Sequence, residues 1–140
     1  VSGDAAATLA PATRFIRIAE SGKAHIEGHR CGSCGAVYLE PRMACARCSA
    51  RGGFTAFEAS SRGVVHTYSI VHRSYPGIKT PFISVIVDLD DGLVLKGNLE
   101  GVDPKPSKDL FGMPIRVAFK TLEQKASSGA PYVTYFFEPA

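Results

Sequence analysis

Two CxxC pairs, Cys31–Cys34 and Cys45–Cys48, stand ten residues apart and use every cysteine of the chain. They lie in a segment, residues 29–53, with turn-forming Gly32, Gly35 and Pro41 and few large apolar side chains. Such a segment cannot bury enough surface to fold without a cross-link. Each pair brings two sulfurs onto one tight turn, and two such knuckles close a tetrahedron with metal–sulfur distances of about 2.3 Å. Soft thiolates suit zinc or iron, whereas calcium and magnesium want oxygen. Two disulfides, a redox dithiol and a single iron are the alternatives. Zinc is preferred because no secretion signal accompanies the cysteines and no βαβ pattern surrounds them. Four thiolates leave no open position for water or substrate, so the predicted role of Cys31, Cys34, Cys45 and Cys48 is structural.

At 140 residues the chain is one domain, or one small module joined to another. Its 45% hydrophobic and 21% charged residues exclude a disordered or low-complexity polymer. No apolar run approaches the roughly 20 residues of a membrane span, and the first residues lack a basic start followed by a hydrophobic stretch. The expectation is a cytoplasmic protein with no membrane partner. The opening Val1 leaves open a processed, excised or unusual start. The formal charge of +3 counts thiols as neutral; four thiolates and one dication shift it by about −2, to near neutrality. What remains is polarity along the chain. Arg62, His66, His72, Arg73 and Lys79 fall in a stretch without acids, and Asp88, Asp90, Asp91, Glu100 and Asp103 follow.

Residues 1–8, rich in Ala, Ser, Gly and Asp, predict a mobile tail, with order beginning near Pro11. Phe15, Ile16, Ile18 and Ala19 interleave with Arg14, Arg17 and Glu20 at roughly helical spacing, and Gly22 is placed to end a short N-terminal helix. The predicted organisation is tail and helix over 1–28, zinc ribbon over 29–53, and a β-barrel over 54–140. In the last part Val64–Val71 reads as a strand. Ile83, Val85, Val87 and Leu89 alternate with Phe82, Ser84, Ile86 and Asp88 in period two. Asp90-Asp91-Gly92 predicts a hairpin into Leu93–Leu99. Ile115–Leu122 and Tyr132–Phe137, separated by a Ser-Ser-Gly-Ala-Pro turn region, complete five strands. A mainly β protein with a five-stranded barrel of the oligonucleotide/oligosaccharide-binding (OB) type is expected, with an SH3-like barrel as its competitor.

Beyond the cysteines, His72, Arg73, Tyr75 and Lys79 gather cations and an aromatic beside Gly77, a composition suited to the phosphates of a ligand or to a partner surface. A solvated loop is the plainer account. His66 and His72, six positions apart in one strand, are expected on one side of it, without a nucleophile or paired carboxylate that would make them catalytic. Arg42 and Arg47 would be presented by the ribbon. There is no GxSxG and no dinucleotide fingerprint, and no catalytic residue is assigned.

The segments HRCGSCGAVYLEPRMACARC, GVVHTYSIVHRSYPG, TPFISVIVDLDDGLVLKGNL and LFGMPIRVAF, in that order, resemble the acyl-CoA-associated OB-fold family with an N-terminal rubredoxin-like zinc ribbon, domain of unknown function thirty-five. The resemblance implies one structural zinc and a non-catalytic accessory subunit of a thiolase-like enzyme. That enzyme would be a thiolase or retro-aldolase of lipid, steroid or aromatic breakdown. It further implies an acyl-CoA substrate shared with the partner and a heterotetramer. The aromatic-rich N-terminal helix frequent in the family is reduced here to Phe15. Chemistry agrees with this division of labour. A thiolase needs an activated cysteine nucleophile, and every cysteine here is assigned to metal. The competing class is a single-stranded nucleic-acid-binding module, with Tyr68, Tyr75 and Phe82 as stacking candidates. The near-neutral corrected charge and the acids from Asp88 to Asp103 argue against it.

Overall fold

A computed structural model describes residues 9–125 and 129–140. The tail expected at residues 1–8, and the start of the Ser-Ser-Gly-Ala-Pro turn region, lie outside the described residues. The described residues form ten strands and one 3-10 turn: β1 (Ala10–Pro11), β2 (Ile16–Ile18), β3 (Ala24–Cys31), β4 (Val37–Tyr38), β5 (Phe54–Glu58), β6 (Arg62–Val71), β7 (Phe82–Leu89), β8 (Val94–Leu99), η1 (Lys108–Leu110), β9 (Pro114–Lys125) and β10 (Pro131–Pro139). The described residues contain no α-helix. The chain divides into two compact units, one running up to Ala59 and including Phe119–Thr134, the other comprising Ser60–Ala118 and Tyr135–Ala140.

The first unit is organised on β3. It pairs antiparallel with β2 through Ile16–Ile26, Arg17–His25 and Ile18–Ala24, with β4 at His29 and Arg30, and with β5 from Glu27 to Cys31. The predicted N-terminal helix is therefore corrected to a β-hairpin. Ile16 and Ile18 satisfy a period of two as well as a helical one, and β-branched residues favour the strand. Ile16 is fully buried opposite buried Ile26, and Arg17 reaches Glu27 across the hairpin at 3.2 Å. Gly22, expected to cap a helix, instead takes φ +87° in the hairpin loop, with its N–H donating to Ala19 O at 2.8 Å. That is a type I turn followed by a left-handed residue. The β3 sheet takes in Ala24–Gly28 and the whole of β5.

The barrel strands follow the order β9-β6-β7-β8-β10, and β9 also pairs with β10, closing a ring of five. β6–β7 and β7–β8 are antiparallel, the latter in register from Ile83–Leu99 to Asp88–Val94, as the Asp-Asp-Gly turn requires. β8 and β10 are parallel at Leu99–Phe137. A meander of hairpins cannot make that pairing. It marks the Greek-key return of an OB barrel and removes the SH3-like alternative. Ile83, Val85, Val87 and Leu89 are buried along β7, opposite Leu95 and Leu99 of β8, with Val65, Leu110, Ile115 and Phe137 completing the interior.

Local chemistry explains the motifs that read so clearly in the sequence. A Cβ at Gly63 would overlap the Asp88 carbonyl and lie 2.9 Å from Leu89 Cα, so β6 and β7 approach only where the side chain is a hydrogen. In the Gly-Met-Pro segment, Gly112 N–H donates to Val65 O (2.8 Å) and Val65 N–H donates to Met113 O (3.0 Å), fixing the start of β9 beside β6. Ser107 caps η1, its Oγ accepting from Asp109 N–H at 3.2 Å, and this holds Leu110 in the core. Asp91 is a structural acceptor, taking N–H donors from Ser60 (2.6 Å) and Leu93 (3.1 Å).

Candidate metal centre and the exposed barrel loop

The two knuckles repeat with an offset of fourteen residues. In the first, Cys31 N–H donates to Ala36 O and Gly35 N–H donates to Cys31 O; in the second, Cys45 N–H donates to Ala50 O and Ser49 N–H donates to Cys45 O. All four bonds are 2.8–2.9 Å. Gly35 has φ +79°, and Ser49 occupies the equivalent left-handed position at +66°. A single backbone design is thus used twice, once with the residue that adopts it freely and once with a residue that does so under strain.

The knuckles bring the Sγ atoms of Cys31, Cys34, Cys45 and Cys48 within 4.8 Å of one another. Across the knuckles, Cys31–Cys48 is 3.7 Å and Cys34–Cys45 is 3.6 Å. A tetrahedron with zinc–sulfur bonds of about 2.3 Å has edges of about 3.8 Å. The spacing fits one zinc with four thiolate ligands and is far too long for disulfide bonds. Cys31 and Cys45 are buried and Cys48 is exposed. As bare thiols Cys45 and Cys48 would titrate far apart. Cys45 is lowered to about 6, first by the Tyr38 hydroxyl, and Cys31 is lowered first by the Cys34 amide. At Cys48 the Ala50 amide lowers the pKa, but desolvation and the neighbouring thiols together push it up to about 12. Crowded thiolates resist simultaneous ionisation, which a divalent cation relieves.

Spacing alone did not reveal Tyr38. Its hydroxyl lies 3.4 Å from Cys45 Sγ and accepts the Ala46 N–H at 3.1 Å. The ring meets Phe54 edge-on with centroids 6.0 Å apart, and the Arg42 guanidinium covers a face at 4.5 Å. Arg42 is therefore held against the ribbon rather than projecting from it. Neighbouring Met43 is 93% exposed. The Arg47 amide donates to Cys45 Sγ at 3.4 Å, while its side chain is exposed.

The other sequence candidates do not all converge. His72, Arg73, Tyr75 and Lys79 share the exposed loop between β6 and β7. Among the described residues nothing pairs with the side chains of His72, Arg73 or Lys79. Tyr75 is 82% exposed and Ile78 half-exposed on the same loop, so cations and apolar groups project together. His66 and His72 are not on one face of one strand. β6 ends at Val71, and a register shift between Val65 and Thr67 makes His66 the bulged residue. His66 pairs instead with Asp88 (3.1 Å) in the open.

Past the bulge the side-chain parity changes, and Tyr68 packs on Phe111 at 5.1 Å while its hydroxyl accepts the Ser107 N–H at 3.0 Å. Tyr68 is therefore committed to the fold and not to a stacking platform. Strands β6–β8 carry an open depression of about 250 Å³ lined by Thr67, Tyr68, Ser69, Ser84, Val85, Ile86 and Lys96. That lining contains a single cation.

Comparison with known proteins agrees with both halves. Residues 24–54 match the family described as ChsH2, rubredoxin-like zinc ribbon domain, and residues 57–120 the one described as ChsH2, C-terminal OB-fold domain. A DUF35 domain-containing scaffold protein of Methanocaldococcus jannaschii is 31% identical over 114 residues, covering 80% of this chain and 79% of that protein. The benzoylsuccinyl-CoA thiolase subunit BbsA of Geobacter metallireducens is 32% identical over 82 residues, covering 59% of this chain and 55% of that one. Among solved structures, a chain of the Ltp2-ChsH2(DUF35) aldolase superposes with a TM-score of 0.64 at 25% identity, over 82% of this chain and 84% of that one.

Proposed function

This chain belongs to the DUF35 family of zinc-ribbon and OB-fold proteins, and from that premise we propose that it is the accessory subunit of a thiolase-like enzyme acting on acyl-CoA thioesters. The observation that carries the reading is the gathering of all four cysteines into one cluster. Carbon–carbon cleavage of the thiolase kind requires a nucleophilic thiol, and this chain keeps none in reserve. The zinc holds the ribbon in shape. With four sulfur ligands it supplies no Lewis-acid position for a substrate. The reacting groups then belong to the partner chain, and this subunit supports assembly and shapes the substrate site. Relatives that are a thiolase subunit and an aldolase component support the same division.

The β6–β7 loop is the proposed contact with partner or acyl-CoA. Unpaired Arg73 and Lys79 offer charge for a phosphate or an acidic surface, and Tyr75 offers an aromatic for the apolar remainder. In the Arg73→Ala, Lys79→Ala double variant, partner binding or acyl-CoA affinity should fall at least several-fold, since rim charges act on association. Unchanged values for both would remove the loop from the interface.

Nucleic-acid binding is the less favoured reading. Tyr68 is engaged with Phe111 and Ser107, and the depression on β6–β8 has Lys96 as its one lining cation among the described residues. The acids are a weaker argument than their number suggests, because Asp88, Asp91 and Asp103 are occupied by His66, by backbone amides and by Lys105. Purification of the protein from its native source is the decisive experiment. A larger thiolase-like chain should accompany it, in a heterotetramer; a lone monomer with steeply salt-dependent affinity for single-stranded DNA or RNA would overturn the proposal.

A further inference from the structure

The two knuckles are alike in backbone and unlike in one respect. Gly32, the residue after Cys31, donates its N–H to the Gly53 carbonyl at 3.0 Å. Ala46, fourteen residues on and in the same place after Cys45, donates its N–H to the Tyr38 hydroxyl at 3.1 Å. A carbonyl oxygen has no proton to pass on, whereas a phenol that accepts one hydrogen bond still has its own to give. The nearest acceptor is Cys45 Sγ, 3.4 Å away. A metal-bound thiolate carries no proton, so in the loaded site the hydroxyl is the donor. The residue fourteen positions after Tyr38 is Gly52, which has no side chain to do the same for the first knuckle.

We propose that Tyr38 is a positioning residue of the zinc site, whose hydroxyl relays the Ala46 N–H onto Cys45 and makes that cysteine a deliberately unequal ligand. Tyr38 lies on β4, directly after the first knuckle, and its hydroxyl engages the second. It is a strut between the two that does not pass through the metal. Its ring is fixed by Phe54 at the edge and Arg42 on the face, so the hydroxyl has little freedom to leave. Cys45 thereby receives the Tyr38 O–H in addition to amides of its own knuckle, where Cys31 receives knuckle amides alone, and it is buried; Cys48 lies open to solvent. Hydrogen bonds to a ligating sulfur draw off electron density and orient its lone pairs, and losing such a partner typically costs 10–100-fold in metal affinity. The relay rests on the zinc assignment and is independent of what the partner enzyme does.

The full chain carrying Tyr38→Phe keeps the ring and removes only the donor. Loaded with zinc and challenged with a chromogenic chelator, it should release metal about tenfold faster than the parent. Loaded with cobalt(II), its thiolate-to-metal charge-transfer band should move to longer wavelength, because a sulfur relieved of a hydrogen bond gives up electron density more readily. Met43→Ala, beside the site and 93% exposed, should leave that band in place. Difluorotyrosine at position 38, a more acidic donor in the same shape, should move it to shorter wavelength, and this measurement stands even if Tyr38→Phe does not fold. A cobalt band unmoved by fluorination, or Tyr38→Phe protein with the parent's band or its rate of release, would overturn the proposal.

Discussion

At the scale of single residues, the cysteines were legible because chemistry fixes their spacing, while Tyr38 was not, because nothing in a sequence says which of several aromatics turns its hydroxyl toward a sulfur. Cys45→Ser removes one ligand from a segment that has little else to hold it. Zinc content should fall well below one equivalent, and amide exchange across residues 29–53 should rise to that of an open chain. Ser49 is a subtler case. Its left-handed backbone costs an ordinary residue about 1–2 kcal/mol, so Ser49→Gly should retain zinc and gain up to about 1 kcal/mol in denaturant titration. Ser49→Val should lose more than that in the same assay. At Gly63 the constraint is space. Gly63→Ala has to part β6 from the Asp88 carbonyl, and a loss of about 1–3 kcal/mol is expected by thermal or chemical unfolding.

Strands were read best where one face is buried and the pattern alternates without interruption. β7 met that condition, and of its two alternating sets the inward one is Ile83, Val85, Val87 and Leu89. β6 did not. The extra residue at His66 reverses parity partway along, which is why Tyr68 looked available in the sequence and is engaged with Phe111 in the fold. β2 failed for want of length: three residues are too few to separate a helical period from an alternating one, and pairing with β3 decided the matter. The Gly-Met-Pro segment was recognisable as a motif, but its task of hydrogen-bonding Val65 beside the bulge belongs to tertiary structure. For the parallel β8–β10 pairing the packing prediction is direct. Phe137 is fully buried opposite Leu99, and Phe137→Ala should cost about 3–5 kcal/mol, read as a lowered midpoint of barrel unfolding.

For the whole molecule, the mainly β class and the order of ribbon then barrel followed from where the cysteines stop and the alternating strands begin; the far strands β9 and β10 contribute residues to both compact units, which no local pattern announces. Because the segment 29–53 depends on metal and the barrel on an apolar interior, chelation should separate their stabilities. Protease cleavage within residues 29–53 is expected after zinc removal while Ser60–Ala118 persists, and simultaneous loss of both would show one cooperative system instead. The ring of five strands has a further meaning for assembly. With β9 bonded to β10, each barrel strand has a hydrogen-bonded neighbour on both sides over part of its length among the described residues, so no strand of the ring offers a whole edge onto which another chain's strand could be added. Recognition at the barrel must then be written in side chains and loops. Such an interface can be loosened by salt or by single substitutions without unravelling a sheet, and competing extended peptides should not displace the partner from it.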